Sequence, residues 1–274
     1  MSKTPFQGGT NFEIFSASGK NPEANCKMVG KPPKQFNEIC KSNVYNLLEP
    51  GTKFSWPKDN KIGLTQQFLV FQIFVPQGVH FSIHIDVTDI KNNKKRLQFS
   101  TAQKQLSETP LHAIVPLVGL RRDTWVNAAF DIQSFMTSIF KQPQQTVDSI
   151  DLFAQFMIRK IFTLKNCPPV SGDEPGPSGD FPPGVSIVEA IPKDQQFVSS
   201  FKNFATQVFW FEKTQSLMIR DNQMSGAAQG SLAASIALGA SYANDLHGTV
   251  GSTSTGSFRT SSAGDSNLKV KTPQ

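Results

Sequence analysis

The sequence predicts an all-β fold, an antiparallel jelly-roll-like β-sandwich that contains one short helix. The first supporting observation is alternation: within 81–88, Phe81, Ile83, Ile85 and Val87 are each followed by a polar residue. A period of two is typical of a half-buried strand. The second observation is that short apolar segments separated by turn residues recur along the first two-thirds of the 274 residues. Such spacing is typical of sandwiches and jelly rolls.

The strand candidates have apolar side chains at alternate positions or on both faces. In chain order they are 11–16, 44–48, 68–75, 81–88, 96–100, 111–118, 125–132, 150–155 and 158–164, with a short helix predicted over 133–140. The segment 68–75 is apolar on both faces, so its second face needs cover from the same chain or from a partner. Asn92 and Asn93 predict a tight turn between the strands 81–88 and 96–100.

The composition changes after residue 166, so we predict a sandwich domain over 1–166. Residues 167–193 are predicted to form a Pro/Gly-rich linker, since 167–192 hold seven of the 18 prolines. Residues 194–220 are predicted to form an amphipathic Phe-rich helix that packs on the sandwich or docks a partner. Its candidate docking residues are Phe197, Phe201, Phe204, Val208 and Phe211. The Ser/Gly/Ala-rich remainder, 221–274, is predicted to be a disordered tail.

The basic charge of the chain is concentrated in the predicted domain. Residues 1–166 contain 20 Lys and Arg against 12 Asp and Glu, whereas the whole chain has a net charge of +6. A basic folded surface favours acidic partners, such as nucleic acid or an acidic protein surface. The candidate contact residues lie in three clusters: Lys91, Lys94, Lys95 and Arg96; Arg121 and Arg122; Arg159 and Lys160.

The sequence motifs favour an intracellular protein that is not an enzyme. We find no apolar run long enough to span a bilayer and no secretory signal, so no membrane partner is expected. We also find no phosphate-binding loop, and no cofactor, metal or catalytic residue is expected. His80 and His84 would lie about 13 Å apart on one strand, which is too far for a shared ion. Asp86 and Asp89 would fall on opposite faces and cannot act as an acid/base pair.

Several stretches in order across 1–166 resemble the cilia- and flagella-associated protein 20 family. They include Phe-Gln-Gly-Gly from Phe6, Phe-Leu-Val-Phe-Gln-Ile-Phe-Val-Pro from Phe68, Thr-Pro-Leu-His-Ala-Ile-Val-Pro-Leu from Thr109, and Ile-Arg-Lys-Ile-Phe-Thr-Leu from Ile158. The resemblance is closest to the longer members that carry this domain at their N-terminus. The chain departs from the family at 155–157, before the last strand, and in everything after residue 166.

The resemblance implies a non-catalytic structural protein of the ciliary or flagellar axoneme or of the basal body. Its partners would be tubulin, doublet microtubules and other axonemal proteins, with the inner junction of the doublet as one placement. Two other functions stay open from the residues. One is nucleic-acid binding through the basic face. The other is a carbohydrate-binding module, for which Trp56 and Trp125 are the candidate aromatic platform.

Overall fold

The computed structural model describes residues 7–153, 155–171, 181–198, 204–221 and 223, which belong to one compact unit, Met1–Gln223. They form two seven-stranded sheets and two helices. The strands are β1 Asn11–Ser16, β2 Lys27–Val29, β3 Lys34–Asn37, β4 Ser42–Leu47, β5 Lys53–Trp56, β6 Phe68–Phe74, β7 Ser82–Asp89, β8 Lys94–Ser100, β9 Ser107–Glu108, β10 His112–Pro116, β11 Trp125–Asp131, β12 Gln144–Phe153, β13 Phe156–Leu164 and β14 Phe204–Phe209. The helices are α1 Ile132–Phe140 and α2, which includes 211–221 and 223.

Sheet A has the strand order β14-β11-β6-β13-β4-β3, and β1 also pairs with β13. Sheet B has the order β2-β5-β12-β7-β8-β10-β9. Their facing sides share one apolar core, in which Phe15, Tyr45, Phe54 and Trp56 pack with ring centroids 5.1–5.9 Å apart. Aromatic rings at these spacings pack edge-to-face and bury a large apolar area, which is why so many Phe residues alternate along the strands.

Helix α1 closes one end of the sandwich. The carboxylate of Asp131 accepts a hydrogen bond from Ser134 N at 3.0 Å, so Asp131 caps the helix, which ends at Lys141 in a left-handed conformation. Phe135 and Met136 on the inner side of α1 are fully buried in the core. The predicted helix over 133–140 is therefore confirmed, one residue longer than expected.

The predicted all-β sandwich is confirmed, but its sheets are mixed. Strand β10 pairs with β8 in parallel, and β14 pairs with β11 in parallel. Both depart from the antiparallel arrangement that we predicted. Strand β10 forms an antiparallel hairpin with β9 and returns alongside β8 after residues 101–111, and β14 reaches β11 through a long crossover. Strands β2, β3, β5 and β9 were not predicted. Each has at most four residues, too few for a period of two to be visible.

The outer face of sheet A, which includes the second apolar face of β6, is covered by the same chain and not by a partner. Residues 181–198, which we call the strap, lie over this face. Ile191 belongs to one buried cluster with Phe68, Val70 and Phe162, and further along the strap Phe197 packs against Trp125. The predicted linker 167–193 thus includes residues that pack on the sandwich. Its residues 172–180 lie outside the described residues.

The predicted helix over 194–220 is wrong in its centre. Residues 204–209 form β14, which lies alongside β11 with Trp125 opposite Phe204 and Phe130 opposite Phe209. Pairing satisfies the backbone groups along the edge of β11, and this outweighs the helical spacing of the phenylalanines. Only α2 is helical in this region. The predicted disordered tail lies outside the described residues apart from 221 and 223.

Candidate interaction surface

The structure separates the eight candidate basic residues into three places. Arg159 and Lys160 lie on β13 under the strap, where 8% and 9% of their surfaces are exposed. Lys160 Nζ donates to Glu13 Oε2 at 2.7 Å, to the Asp194 carbonyl at 2.8 Å and to Gln195 Oε1 at 3.1 Å. All of its donors are therefore used within the chain. The prediction that Lys160 contacts an acidic partner is wrong for this reason.

Arg159 is the end of a buried polar row that crosses four strands. Asn127 Nδ2 donates to Thr206 Oγ1 at 3.0 Å, and Gln72 Nε2 donates to Asn127 Oδ1 at 3.0 Å. Arg159 Nη1 in turn donates to Gln72 Oε1, and the guanidinium lies 5.3 Å from the centroid of the Phe197 ring. Burial lowers the pKa of Arg159 from its ordinary value. The strap hides this arginine, so the prediction that it binds a partner is also wrong.

Arg121 and Arg122 lie at the end of the sandwich opposite to the turn between β7 and β8. Arg122 Nη1 donates to the carbonyls of Pro76 and Val79 at 3.3 and 3.1 Å, and burial lowers its pKa. This arginine therefore holds the β6–β7 connection. Arg121 follows β10, whose last residue Pro116 is opposite Ser100. Strand β8 runs from Lys94 at the turn to Ser100 at the other end of the sandwich. At about 3.3 Å per residue, its length puts about 20 Å between the turn and the end near Arg121. The eight residues do not form one rim.

The turn between β7 and β8 is held rigidly by Asp89, whose surface is fully buried. Its Oδ1 accepts hydrogen bonds from Lys91 N at 2.9 Å and Asn93 N at 2.8 Å. Burial opposes ionisation of Asp89, but the hydrogen bonds from Asn93 and Lys91 outweigh it, so its pKa lies below its ordinary value. Asn92 has φ 63°, a left-handed conformation that asparagine tolerates. The predicted Asn-Asn turn is confirmed.

Arg96 lies in the strand rather than in the turn, and its charge is already paired. Its guanidinium donates to the Asp86 carboxylate through Nε at 2.7 Å and Nη2 at 3.1 Å, and Ser149 Oγ donates to the same carboxylate at 2.9 Å. Burial opposes ionisation of Asp86, yet the Arg96 and Ser149 hydrogen bonds lower its pKa overall. Arg96 therefore belongs to the face of sheet B, beside the turn.

Four lysines remain at the turn end of the sandwich, and one of them was not predicted. Lys95 Nζ donates to the Pro110 carbonyl at 2.6 Å and lies 5.4 Å from the centroid of the Phe140 ring, which brings the end of α1 to the turn. Lys141 follows α1 directly and is exposed. Sequence reasoning missed Lys141 because 46 residues separate it from Lys95. The helix α1 brings the two together.

Two exposed apolar side chains complete this surface. Ile90 is 56% exposed and Leu111 is 52% exposed. The backbone of Ile90 donates to the Pro143 carbonyl at 3.2 Å, and the Leu111 carbonyl accepts from Arg96 N at 2.8 Å, so both are held beside the turn. We call this surface the hairpin-tip patch. Its members are Ile90, Lys91, Lys94, Lys95, Leu111 and Lys141.

The carboxylates around the hairpin-tip patch are engaged within the chain. Asp148 forms an ion pair with Lys61 at 2.7 Å and accepts a hydrogen bond from Thr88 at 2.6 Å. These groups line an open cleft of about 420 Å³ that also includes Asn92 of the turn. The exposed Glu108 lies on β9, two strands away from β8 in sheet B. Among the side chains described here, no lysine of the patch takes part in a salt bridge. The buried Asp89 carboxylate beneath the turn attracts Lys95 electrostatically, but it is held by hydrogen bonds from the Lys91 and Asn93 backbones.

The comparison with known protein families matches residues 1–169 to the CFA20 domain. The match covers more than half of the 274 residues. The chain belongs to the CFA20 domain family. This confirms the family predicted from the sequence, a family of cilia- and flagella-associated proteins. The match ends at residue 169, so the strap, β14 and α2 follow the matched CFA20 domain in the chain while packing on it.

Two solved structures show weak similarity to this CFA20 domain chain. An exo-beta-agarase has 9% sequence identity and a TM-score of 0.34, covering 56% of this chain and 24% of its own. PfGH50B has 9% identity and a TM-score of 0.24, covering 57% of this chain and 24% of its own. The chain thus spans about a quarter of the length of these two structures.

The predicted docking residues of the Phe-rich segment pack within the compact unit Met1–Gln223. Phe197 is 4% exposed, and its ring centroid lies 5.1 Å from that of Phe204. Val208 is buried on the outer face of sheet A, and the Phe211 ring meets Phe135 at 6.3 Å in an edge-on arrangement. These four residues do not form a docking helix. Phe201 lies outside the described residues.

Trp56 and Trp125, the candidate aromatic platform for a carbohydrate, are both buried in the sandwich. All three tryptophans of the chain, Trp56, Trp125 and Trp210, have at most 5% of their surface exposed. Among the described residues, no group of three or more His, Cys, Asp and Glu side chains lies close enough to hold a metal ion. Within the same residues, neither helix is long and apolar enough to cross a membrane.

Proposed function

We propose that this CFA20 protein is a non-catalytic structural protein that binds microtubules of the cilium or flagellum through the hairpin-tip patch. The observation that carries the proposal is the set of four lysines at one end of the sandwich, around a turn fixed by Asp89 and at the end of α1. The outer surface of tubulin is acidic, and a rigid basic surface is attracted to it. Family membership supports the ciliary setting.

The geometry favours binding because little order has to be gained when a partner docks. Asp89 already fixes the turn, and Lys95 is already held by Phe140 and the Pro110 carbonyl. Preorganised charges lose less conformational entropy on binding than flexible ones. Ile90 and Leu111 add apolar surface between the lysines, and such surface is enriched at the centre of protein interfaces.

The placement within the cilium is part of the proposal. The axoneme and the basal body both contain microtubules, and the doublet inner junction is one location that family membership makes reasonable. The hairpin-tip patch supports the proposed contact with microtubules, and family membership supports the proposed ciliary setting. Other axonemal proteins are proposed as neighbours in the same assembly.

The non-catalytic character is supported by the way the ionisable side chains are used. On the open face of sheet B, Asp86 is bound to Arg96 and Ser149, and Asp151 lies 3.1 Å from Lys53 Nζ. The His84 ring lies against the Phe153 ring, tilted by 47° with centroids 4.3 Å apart, and burial lowers the pKa of His84. These groups hold one another in place across the strands, which is what a rigid scaffold requires.

Co-sedimentation of the full chain with taxol-stabilised microtubules tests the proposal. The variant replaces Lys91, Lys94 and Lys141 by Gln. Each lysine is expected to form one surface ion pair with the microtubule, worth about 0.5 kcal/mol. Loss of all three pairs should weaken the affinity for microtubules roughly tenfold. The matched control replaces Lys20, Lys104 and Lys193, which are exposed and lie outside the patch, so that the net charge changes equally.

The two variants and the salt dependence separate the outcomes. The proposal expects wild-type and control chains to bind, the patch variant to bind about tenfold more weakly, and binding to fall as NaCl rises from about 0.05 to about 0.3 M. Equal weakening in both variants would show that net charge alone drives binding. If gel-shift assays show that the chain binds DNA or RNA more tightly than microtubules, and the patch variant loses this binding, nucleic acid would instead be the acidic partner.

A further inference from the structure

Strand β3 leaves one edge of sheet A without a partner strand in the described part of the chain. Its pairing with β4 is fixed by the bond from Asn46 N to the Pro33 carbonyl, at 3.0 Å. In an antiparallel ladder, hydrogen-bonded and non-hydrogen-bonded residues alternate. Gln35 and Asn37 therefore direct their backbone groups to β4, and Lys34 and Phe36 direct theirs away from the sheet.

One large apolar side chain of β3 is exposed, and a second follows in the turn after it. Phe36 is 56% exposed, the same fraction as the patch residue Ile90, and Ile39 is 47% exposed. Asn37 Oδ1 accepts hydrogen bonds from the backbones of Ile39 and Cys40 at 3.1 Å each, so the turn that follows β3 is well defined. The short length of β3 and Pro33 at its start are common edge protections. They do not account for a large exposed aromatic ring.

The charge around β3 is positive. The segment 27–41 contains four lysines and one glutamate, Glu38, which pairs with Lys41 at 2.7 Å. Lys34 and Phe36 are two residues apart on one strand, so their side chains lie on the same face. A strand added here would meet a cation and an aromatic ring side by side.

We propose that β3 is a strand-addition site for an extended segment of a partner protein that carries acidic and apolar side chains on one face. The outward backbone groups of Lys34 and Phe36 would pair with the added strand, as in other recognition modes that extend a sheet. Phe36 would contact the apolar residue and Lys34 the acidic one. A second copy of this chain is disfavoured, because two lysine-rich edges would face each other.

The site is independent of the proposed function, since β3 is in sheet A and the hairpin-tip patch is in sheet B. The test uses fluorescence anisotropy of a labelled peptide, Thr-Val-Thr-Glu-Thr-Glu-Thr, titrated with the full chain. A second peptide carries Lys in place of Glu. The protein variants are Phe36→Ser and, as a matched control outside both proposed sites, Ile219→Ser on α2, where the side chain is 54% exposed.

The proposal predicts binding of the acidic peptide, about tenfold weaker binding by Phe36→Ser because its apolar contact is lost, and unchanged binding by Ile219→Ser. The lysine peptide should bind at least tenfold more weakly than the acidic one. Microtubule co-sedimentation by Phe36→Ser should equal that of the wild type, which keeps this test separate from that of the hairpin-tip patch.

Three results would overturn the strand-addition site. One is equal binding of the acidic and lysine peptides. Another is binding that Phe36→Ser leaves unchanged. The third is a dimer in sedimentation velocity that Phe36→Ser dissociates, since this would assign the edge to a second copy of the chain. Circular dichroism of Phe36→Ser is expected to match the wild type, because the side chain is exposed.

Discussion

Replacing Phe197 by Ala is expected to destabilise the domain even though this residue lies outside the matched CFA20 segment. Phe197 is 4% exposed and lies against Trp125, Phe204 and the Arg159 guanidinium, with separations of 6.1, 5.1 and 5.3 Å. The substitution removes these contacts and leaves the buried charge of Arg159 without the ring above it.

The magnitude follows from the environment of the ring. Truncating a buried Phe to Ala generally costs about 3–5 kcal/mol, and the lower end applies here because the strap has solvent on its other side. A loss of about 3 kcal/mol with an m value of about 2–3 kcal/mol/M lowers the urea midpoint by roughly 1 M. The adjacent Val198 is 45% exposed, and Val198→Ala is expected to cost less than about 0.5 kcal/mol.

Urea unfolding followed by tryptophan fluorescence measures this difference. Limited proteolysis under native conditions adds a local measurement, because a strap that opens more often is cleaved faster. Phe197→Ala should be cleaved within 181–198 more than about tenfold faster than Val198→Ala. If the two variants have the same urea midpoint and the same cleavage rate, the strap does not hold the outer face of sheet A and the reasoning fails.

Three further predictions concern the rest of the molecule. Because the folded pKa of Asp86 is lowered, its pairing with Arg96 stabilises the fold above the unfolded pKa of about 3.9 and is lost as pH falls below it. The difference in urea midpoint between wild type and Asp86→Asn should therefore be larger at about pH 7 than at about pH 3. All three cysteines are buried and burial raises the pKa of each thiol, so DTNB should react with them only after unfolding. A chain ended at residue 169 should bind the dye ANS and lose cooperative unfolding, whereas a chain ended at 223 should do neither, since only the longer one covers sheet A.

Much of the fold could be predicted from the sequence because alternation and turn chemistry are local. The strands 11–16 and 68–74 were predicted almost as they occur, and the helix predicted over 133–140 is α1 without its first residue. The short edge strands were missed, because strands of two to four residues contain less than one clear repeat.

The error at 204–209 has a physical cause. A phenylalanine every three or four residues fits a helix, but the edge of β11 has backbone groups that need partners. The strand that satisfies them also places Phe209 in the core and Val208 on the outer face. Local periodicity cannot reveal an edge formed by residues about 80 positions earlier.

The candidate contacts were separated for a similar reason. Lys160 and Lys95 look alike in sequence, each lying in a short run of adjacent basic residues. The strap buries the first, and the turn presents the second. The contribution of Lys141 depends on the length and direction of α1, which a charge count does not contain.

The most direct test of the central claim is the localisation of the tagged full chain in a ciliated cell, compared between three forms. These are the wild type, the hairpin-tip variant with Lys91, Lys94 and Lys141 replaced by Gln, and the equal-charge control with Lys20, Lys104 and Lys193 replaced. We predict that the wild type and the control localise along ciliary microtubules or at the basal body and that the patch variant does not. A wild-type chain that is excluded from both structures, or a patch variant that localises as the wild type does, would contradict it.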